Sequence, residues 1–420
     1  MTPDARNRIA VARETPPTGV AAGTVPAGVG LIDVAANRPR PLPLADLFLT
    51  FLRLGATSFG GPAMVANIRE MSVTRKQWLD EAVFARGVAL CQALPGATAM
   101  QTAAYVGLRI RGLAGGAIAY AGFGLPAFCA MLALSALYAR SHDVGFAVSL
   151  FRALRVVVVA IVASAALTFA TSYIKRRTDA LIAAVAAAAF AVAVNPLLTI
   201  SLAGLAGAIE RDRTGVGDAV RSSRNGGAWR PVALMLGGAA VGMAVLLAVN
   251  RQLFTLAAAM LRIDVFAFGG GYASLPLMQH QFVRALAWLD AATFTDGVAL
   301  GQVTPGPIVM TATFIGYVVA GAAGAVVATV AILFPSFVVL VLALPWFDRL
   351  QMSARFRGAT HGALASFVGL LGAVACRFAF AVDWTIATVL LALAAFVCLR
   401  LRVHTIWLVA GAVVYALLRA

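Results

Sequence analysis

The chain has 420 residues, 61% hydrophobic and 12% charged, with a mean hydropathy of +0.89 and a formal net charge of +16. An ordinary soluble domain carries about 25% charged and 45–50% apolar residues, so this chain lacks the polar surface that water requires and reads as an all-α polytopic integral membrane protein. Its positive charge is almost all Arg, with Lys76 and Lys175 the only lysines, and it falls in short gaps between apolar runs, as loop charge does in membrane proteins, so nucleic acid is not the partner it points to.

Residues 1–43 are rich in Pro, Ala, Thr and Arg without apolar periodicity and read as a disordered cytoplasmic tail with no visible signal peptide. A helical span needs about 20 apolar residues. Candidate spans cover 44–66, 82–108, 113–138, 147–173, 179–194 and 196–209, then, after a polar stretch from Glu210 to Arg230, 232–249, 252–278, 292–319, 321–347, 359–381, 384–399 and 404–419. This divides the chain into a first repeat (44–209), a linker with one extra span (210–251) and a second repeat (252–420), about 12–13 spans in all. With the tail in the cytoplasm, the loops holding Arg109 and Arg111, Lys175 to Arg177, Arg284, and Arg400 and Arg402 fall inside. The loop with Arg69, Arg75 and Lys76 falls outside and is the exception.

The halves are related. Trp78 to Gly96 reads WLDEAVFARGVALCQALPG and Trp288 to Gly306 reads WLDAATFTDGVALGQVTPG, identical at twelve of nineteen positions. Leu52-Arg53-Leu54 precedes Phe59-Gly60-Gly61 as Leu261-Arg262-Ile263 precedes Phe268-Gly269-Gly270, and Pro126-Ala127-Phe128 parallels Pro335-Ser336-Phe337. An odd number of crossings before the second copy inverts it, which is a common transporter plan with substrate held near the midplane on interrupted helices.

Two interruptions recur. The first is Ser58-Phe59-Gly60-Gly61-Pro62, matched by Phe268-Gly269-Gly270-Gly271. Gly pairs and Pro break a helix, and the freed N–H groups must face protein, water or an anion, because lipid cannot pair them. A half-helix N-terminus favours oxyanions; the alternative is close packing through small residues. The second is Gln92 through Pro95-Gly96, matched by Gln302 through Pro305-Gly306-Pro307, with Thr98 and Thr304 as hydroxyl donors. Each Gln stands about one turn before its Pro, and its amide binds either substrate or a carbonyl freed by that Pro.

Charge inside spans is the third signal. Arg53 and Arg262 occupy equivalent positions and approach the pseudo-twofold axis if the first helix of each repeat lines it; the alternative is snorkelling to the interface. Arg86 aligns with Asp296, so the two are candidates for pairing across the axis, and Asp264 or Asp296 is a candidate carrier of a coupling proton. Gly112/Gly116 and Gly238/Gly242 read as small-residue packing pairs. The four cysteines and four histidines show no metal-ligand spacing, so no cofactor is expected. Gly215-Val216-Gly217-Asp218 looks like an intramembrane aspartyl protease motif but falls in a polar loop, and no nucleophile–base set appears, so the chain does not read as an enzyme.

On Ser58 to Pro62, Trp78-Leu79, Leu90 to Gly96, Phe268 to Gly271, Gly301 to Pro307, Pro126 and Pro335, the chain resembles the chromate ion transporter family, long-chain two-domain type. It departs from the family pattern at Ala63-Met64-Val65, which lacks a His, and at Ala97, where a second Pro is usual. The resemblance implies export of chromate from the bacterial cytoplasm across the inner membrane, driven by the membrane potential or a proton gradient, and hence chromate resistance. Sulfate and molybdate share the tetrahedral oxyanion shape and are the alternative substrates. Exporting a dianion across an inside-negative membrane is downhill by about 4.6 kcal/mol at 100 mV, so a uniporter suffices. A homo-oligomer is compatible with the sequence.

Overall fold

The computed structural model describes residues 42–59, 61–140, 145–212, 229–346, 353–401, 403 and 405–417. The expected tail, the polar linker with Gly215 to Asp218, and Gly60 lie outside the described residues. Among the described residues the fold consists of fifteen α-helices with short 3-10 and π turns, and the only strand-like pairing is a bridge between Pro95 and Phe268.

In the first repeat, α1 (Leu44–Thr57) buries a stripe of Leu47, Phe51 and Gly55, breaks at Ser58, and is followed by α2 (Gly61–Arg69) and a π turn (Glu70–Arg75). Then come α3 (Glu81–Ala93) and α4 (Thr98–Arg140). In the second repeat, α9 (Arg251–Phe266) is capped by Asn250, whose side chain accepts from the N–H groups of Gln252 and Leu253. A 3-10 turn (Gly271–Ala273), α10 (Ser274–Met278), a π turn (Gln279–Ala285) and α11 (Ala291–Val303) follow. A further 3-10 turn (Ile308–Met310) opens into α12 (Thr311–Ala343). The repeat reproduces even the exceptional backbone: Gln77 and Ala287, each just before the repeated Trp, share a φ of 50°.

The spans expected at 82–108 and 292–319 do not cross; they fold back. Gly87 lies against the ring of Tyr105, whose hydroxyl donates to Val83 O (3.0 Å). Eighteen residues of straight helix would separate positions 87 and 105 by about 27 Å. So α3 and residues 98–110 form a helical hairpin with its tip at Leu94 to Ala97. Gly297 against Phe314 makes the matching hairpin from α11 and residues 311–319, with its tip at Thr304 to Pro307.

The chain then reverses again at Gly112 and at Gly321, both at φ 61° and ψ −151°. Only Gly adopts that conformation freely. Gly107 meets Gly115 beyond the first turn and Gly316 meets Gly324 beyond the second, backbone to backbone. Gly112 is therefore a turn, and it is Gly116 that packs, on Leu108 and Ala104. Gly238 and Gly242 meet nothing within 4 Å, so the packing expected of them is absent among the described residues.

The hairpins enter from opposite ends. The first lies beside the start of the long arm 113–140. Further along that arm, Ala127 meets Gly306 at the second tip, Met131 reaches Gly301, and Tyr138 reaches Asp296 and Phe314 on the second hairpin's outer parts. The repeats are thus inverted. One consequence concerns charge: α3 starts and residue 110 ends at the same end of the first hairpin. The Arg69, Arg75 and Lys76 loop therefore shares an end with Arg109 and Arg111, and the exception to the loop-charge rule disappears. Arg284, beside the outer end of the second hairpin, moves to the opposite end. Within the first loop Arg69 bonds Glu81 (2.6 Å) and Arg75 bonds Glu70 (3.3 Å).

Around this centre lie α5 (Gly145–Tyr173), α6 (Arg177–Ala191), α7 (Pro196–Asp212) and α8 (Trp229–Val249), then α13 (Ala354–Phe380), α14 (Ile386–Arg400) and α15 (Thr405–Leu417). The repeats interlock: α13 packs on α5, α6 and α7, with Gly358 on Gly207, Gly362 on Ala203 and Gly369 on Ala183, while α5 also packs on α14 and α15. Among the described residues five helical stretches are long and apolar enough to cross a membrane, including Arg230–Val249, whose most apolar window is only 6% buried in the protein.

Candidate functional site

The four breaks meet at the centre in two reciprocal pairs. Gly96 N–H donates to Ala267 O (2.9 Å), and Gly306 N–H donates to Ser58 O (2.8 Å). Each hairpin tip therefore closes on the broken first helix of the other repeat. Gly96 and Gly306 sit at φ 106° and 107°, and an added Cβ would run into Ser336 Oγ at the first and Ala127 Cβ at the second. The residues after Pro126 and Pro335 are thus the ones that touch the opposite tips, which gives those distant prolines their place in the repeat.

A cavity of about 400 Å³ opens at this meeting point. Of the site residues read from the sequence, Gln92, Thr98, Gly269, Gly270, Gln302, Thr304 and Gly306 line it, together with Gly271 and Gly301. Four helical starts reach it: α2 through Met64 and Val65, α4 through Thr98 and Ala99, the turn before α10 through Gly271 and Tyr272, and the turn before α12 through Ile308. A helix start carries N–H groups without intrahelical partners and a partial positive charge. Tyr272 donates its hydroxyl to Gln302 Oε1 (3.4 Å), and Gln302 Nε2 is buried without a partner among the described residues. No Arg, Lys, Asp or Glu is among the described lining residues, so the cavity offers neutral donors.

Other residues hold the frame. Pro95 and Phe268 form the bridge, and Pro95 O accepts from Gln101 Nε2 (2.7 Å). Ser58 is fully buried and its Oγ accepts from Asn67 (3.3 Å), and Phe59 is half-buried at the break. Gly61 and Pro62 begin α2, and Pro305 lies in the second tip.

The charged candidates do not gather at the cavity. Arg53 and Arg262 are exposed. Arg53 stands two residues from both Phe51 and Gly55, which on a 3.6-residue helix places it on the far side of the buried stripe. Arg262 turns back to Ala258 O (3.3 Å). Arg86 is exposed too, and the expected Arg86–Asp296 pair is replaced by another: Asp296 accepts from Arg155 Nε (2.6 Å) and Nη2 (2.7 Å) and from Tyr138 (3.0 Å). Asp264 is buried beside the first tip, bonded to Ser336.

Sequence reasoning missed Arg155, although it and Arg152 stand within the apolar run 147–173 and are intramembrane charges of the kind that mark function or pairing. It also missed Tyr272 and the α5 wall of the cavity, Thr168, Phe169, Ser172 and Tyr173. The Thr168–Ser172 spacing of one helical turn was the available signal.

Inverted repeats, paired helix breaks at the centre and a cavity between them define a polytopic membrane protein built on the plan of a secondary transporter. The chromate transporter family model matches residues 45–208 and again 254–417, so the chain belongs to that family. It is similar to an uncharacterized transporter of Methanocaldococcus jannaschii, at 39% identity over 87% of this chain and 92% of the relative. It is also similar to the chromate transport proteins of Cupriavidus metallidurans, at 30% identity over 79% and 82%, and of Pseudomonas aeruginosa, at 29% over 80% and 81%. No solved structure matches the chain.

Proposed function

We propose that this protein exports a tetrahedral oxyanion, chromate, from the bacterial cytoplasm across the inner membrane, holding it in the central cavity. The observation that carries this reading is the convergence of helical starts and neutral donors on one cavity between two inverted hairpin tips. Backbone N–H groups at Thr98, Ala99, Gly271 and Ile308, with the Thr98 hydroxyl and the Gln92 and Gln302 amides, replace the water around the dianion. Their partial charges suit a substrate that must also leave. The two chromate transport proteins among the relatives support the choice of ion.

Because the hairpins approach from opposite ends, withdrawing one tip at a time opens the cavity to one side at a time. The end with Arg69, Arg75, Lys76, Arg109 and Arg111 is the cytoplasmic one on the loop-charge rule. Gln252, at the start of α9, bonds Val319 O at the outer end of the second hairpin (3.4 Å), so by the repeat α1 starts at the outer end of the first. On this reading the start of α1 lies at the cytoplasmic end. A potential of 100 mV contributes about 4.6 kcal/mol to moving two charges outward.

The test is labelled chromate flux in proteoliposomes, with potential and pH gradient imposed separately and with sulfate and molybdate as competitors. Saturable chromate flux that responds to potential is expected. Absence of chromate flux beside saturable sulfate or molybdate flux overturns the choice of ion, and absence of all three overturns the transporter reading.

A further inference from the structure

The two tip contacts are related by the repeat but not chemically alike. At the second tip, Gly306 rests on Ala127, and Gly124 rests on Met310. The first tip meets a polar cluster at the corresponding place. Asp264, 1% exposed, accepts through one oxygen from Ser336 N–H (2.7 Å) and Ser336 Oγ (2.6 Å). By the alignment of the halves, Asp264 stands where the first repeat has Gly55, and Ser336 stands where it has Ala127. Gln101 spans from Pro95 O to Ser336 O, so it ties the tip to the same turn of α12.

Two acceptors in this cluster, Asp264 Oδ1 and Gln101 Oε1, are buried without a donor. No salt bridge reaches Asp264 among the described residues, and the titratable side chain facing it, Tyr120 on α4, donates its hydroxyl hydrogen bond to Leu333 O (2.8 Å). A bare carboxylate so enclosed is costly, and a carboxylic acid supplies the missing donor. Asp264 also underlies the Gly96–Ala267 bond that must part when the first hairpin withdraws.

We propose that Asp264 is the proton-binding site of the transport cycle, neutral while the first tip is closed and exchanging its proton with water when that tip opens. The O–H bond at Oδ1 breaks to water on the first tip's side when that tip opens and forms again from the same water before it closes, so the proton governs the gate and is not carried across. The second gate, with no such group among the described residues, opens without a proton step. This rests on the transporter reading above and adds a proton-controlled gate and its residue.

The test uses the full chain in proteoliposomes at zero potential. Because the proton is exchanged at the first tip only, chromate flux is expected to change by up to about tenfold per pH unit on that side and to ignore the pH of the other side. Asp264→Asn keeps the shape and loses the proton: this one-sided pH dependence disappears while chromate exchange remains measurable. Ser336→Ala leaves the acid in place and shifts the pH at which flux is half-maximal. A readout independent of substrate is the protonated-carboxyl band in infrared difference spectra between acid and alkaline samples, present in the wild type and absent in Asp264→Asn. A one-sided pH dependence unaltered in Asp264→Asn, or an unchanged infrared band, overturns the proposal. Failure of chromate to move while that band behaves as expected strikes at the substrate and not at Asp264.

Discussion

Replacing Arg155 with Ala tests how the second hairpin is held. The Asp296 side chain is 2% exposed and bonded at both oxygens by the Arg155 fork, while Arg155 is 27% exposed. Removing one partner of a buried pair costs about 3–5 kcal/mol, because the other charge remains buried and uncompensated. The pair is incompletely enclosed at Arg155 and Tyr138 still donates (3.0 Å), so a loss near 3 kcal/mol, at the low end of that range, is expected. Replacing both partners, as in Arg155→Met with Asp296→Leu, leaves no stranded charge and recovers most of the loss. The measurement is a double-mutant cycle by denaturation in mixed detergent micelles, with Arg69→Ala, at an exposed pair, as a control that changes nothing measurable. A single variant as stable as the wild type, or a double variant no better than Arg155→Ala, refutes the argument that the pair carries buried charge.

Gly96→Ala meets both a positive φ of 106° and Ser336 Oγ, so about 1–3 kcal/mol of backbone strain adds to a displaced tip; flux is expected to fall sharply in protein that still purifies as a folded species, whereas Gly238→Ala, with open space around it, transports normally. Gln302→Ala removes a buried amide whose donor has no partner among the described residues. It is expected to weaken anion affinity about 10–150-fold, from the roughly 1.5–3 kcal/mol of a hydrogen bond to a charged group, read from the concentration dependence of flux. Arg53→Ala and Arg262→Ala, alone and together, keep wild-type flux, since neither guanidinium reaches the cavity; a large loss in either would return them to the binding scheme.

The sequence carried the repeat, the helical class and the positions of the four breaks, because these depend on local chemistry. Gly pairs and Pro-Gly steps weaken a helix through their own backbone, and apolar runs demand lipid or a protein core. It also carried much of the cavity lining, since Gln92, Gln302, Thr98 and Thr304 lie beside those breaks. What it misjudged was direction. A run such as 82–108 has the length and apolarity of a span, and nothing local in Pro95-Gly96 tells a kink from a reversal. That is decided by Gly87 admitting the Tyr105 ring and by Gly96 fitting where no Cβ fits, contacts between residues far apart in the chain. Pairings were decided the same way. Arg86 and Asp296 align in the repeat, yet the helix face of α3 turns Arg86 outward while α5 delivers Arg155, from outside the aligned segment, to Asp296. Charge in a sequence shows that a partner is needed; only the packing of helices selects it.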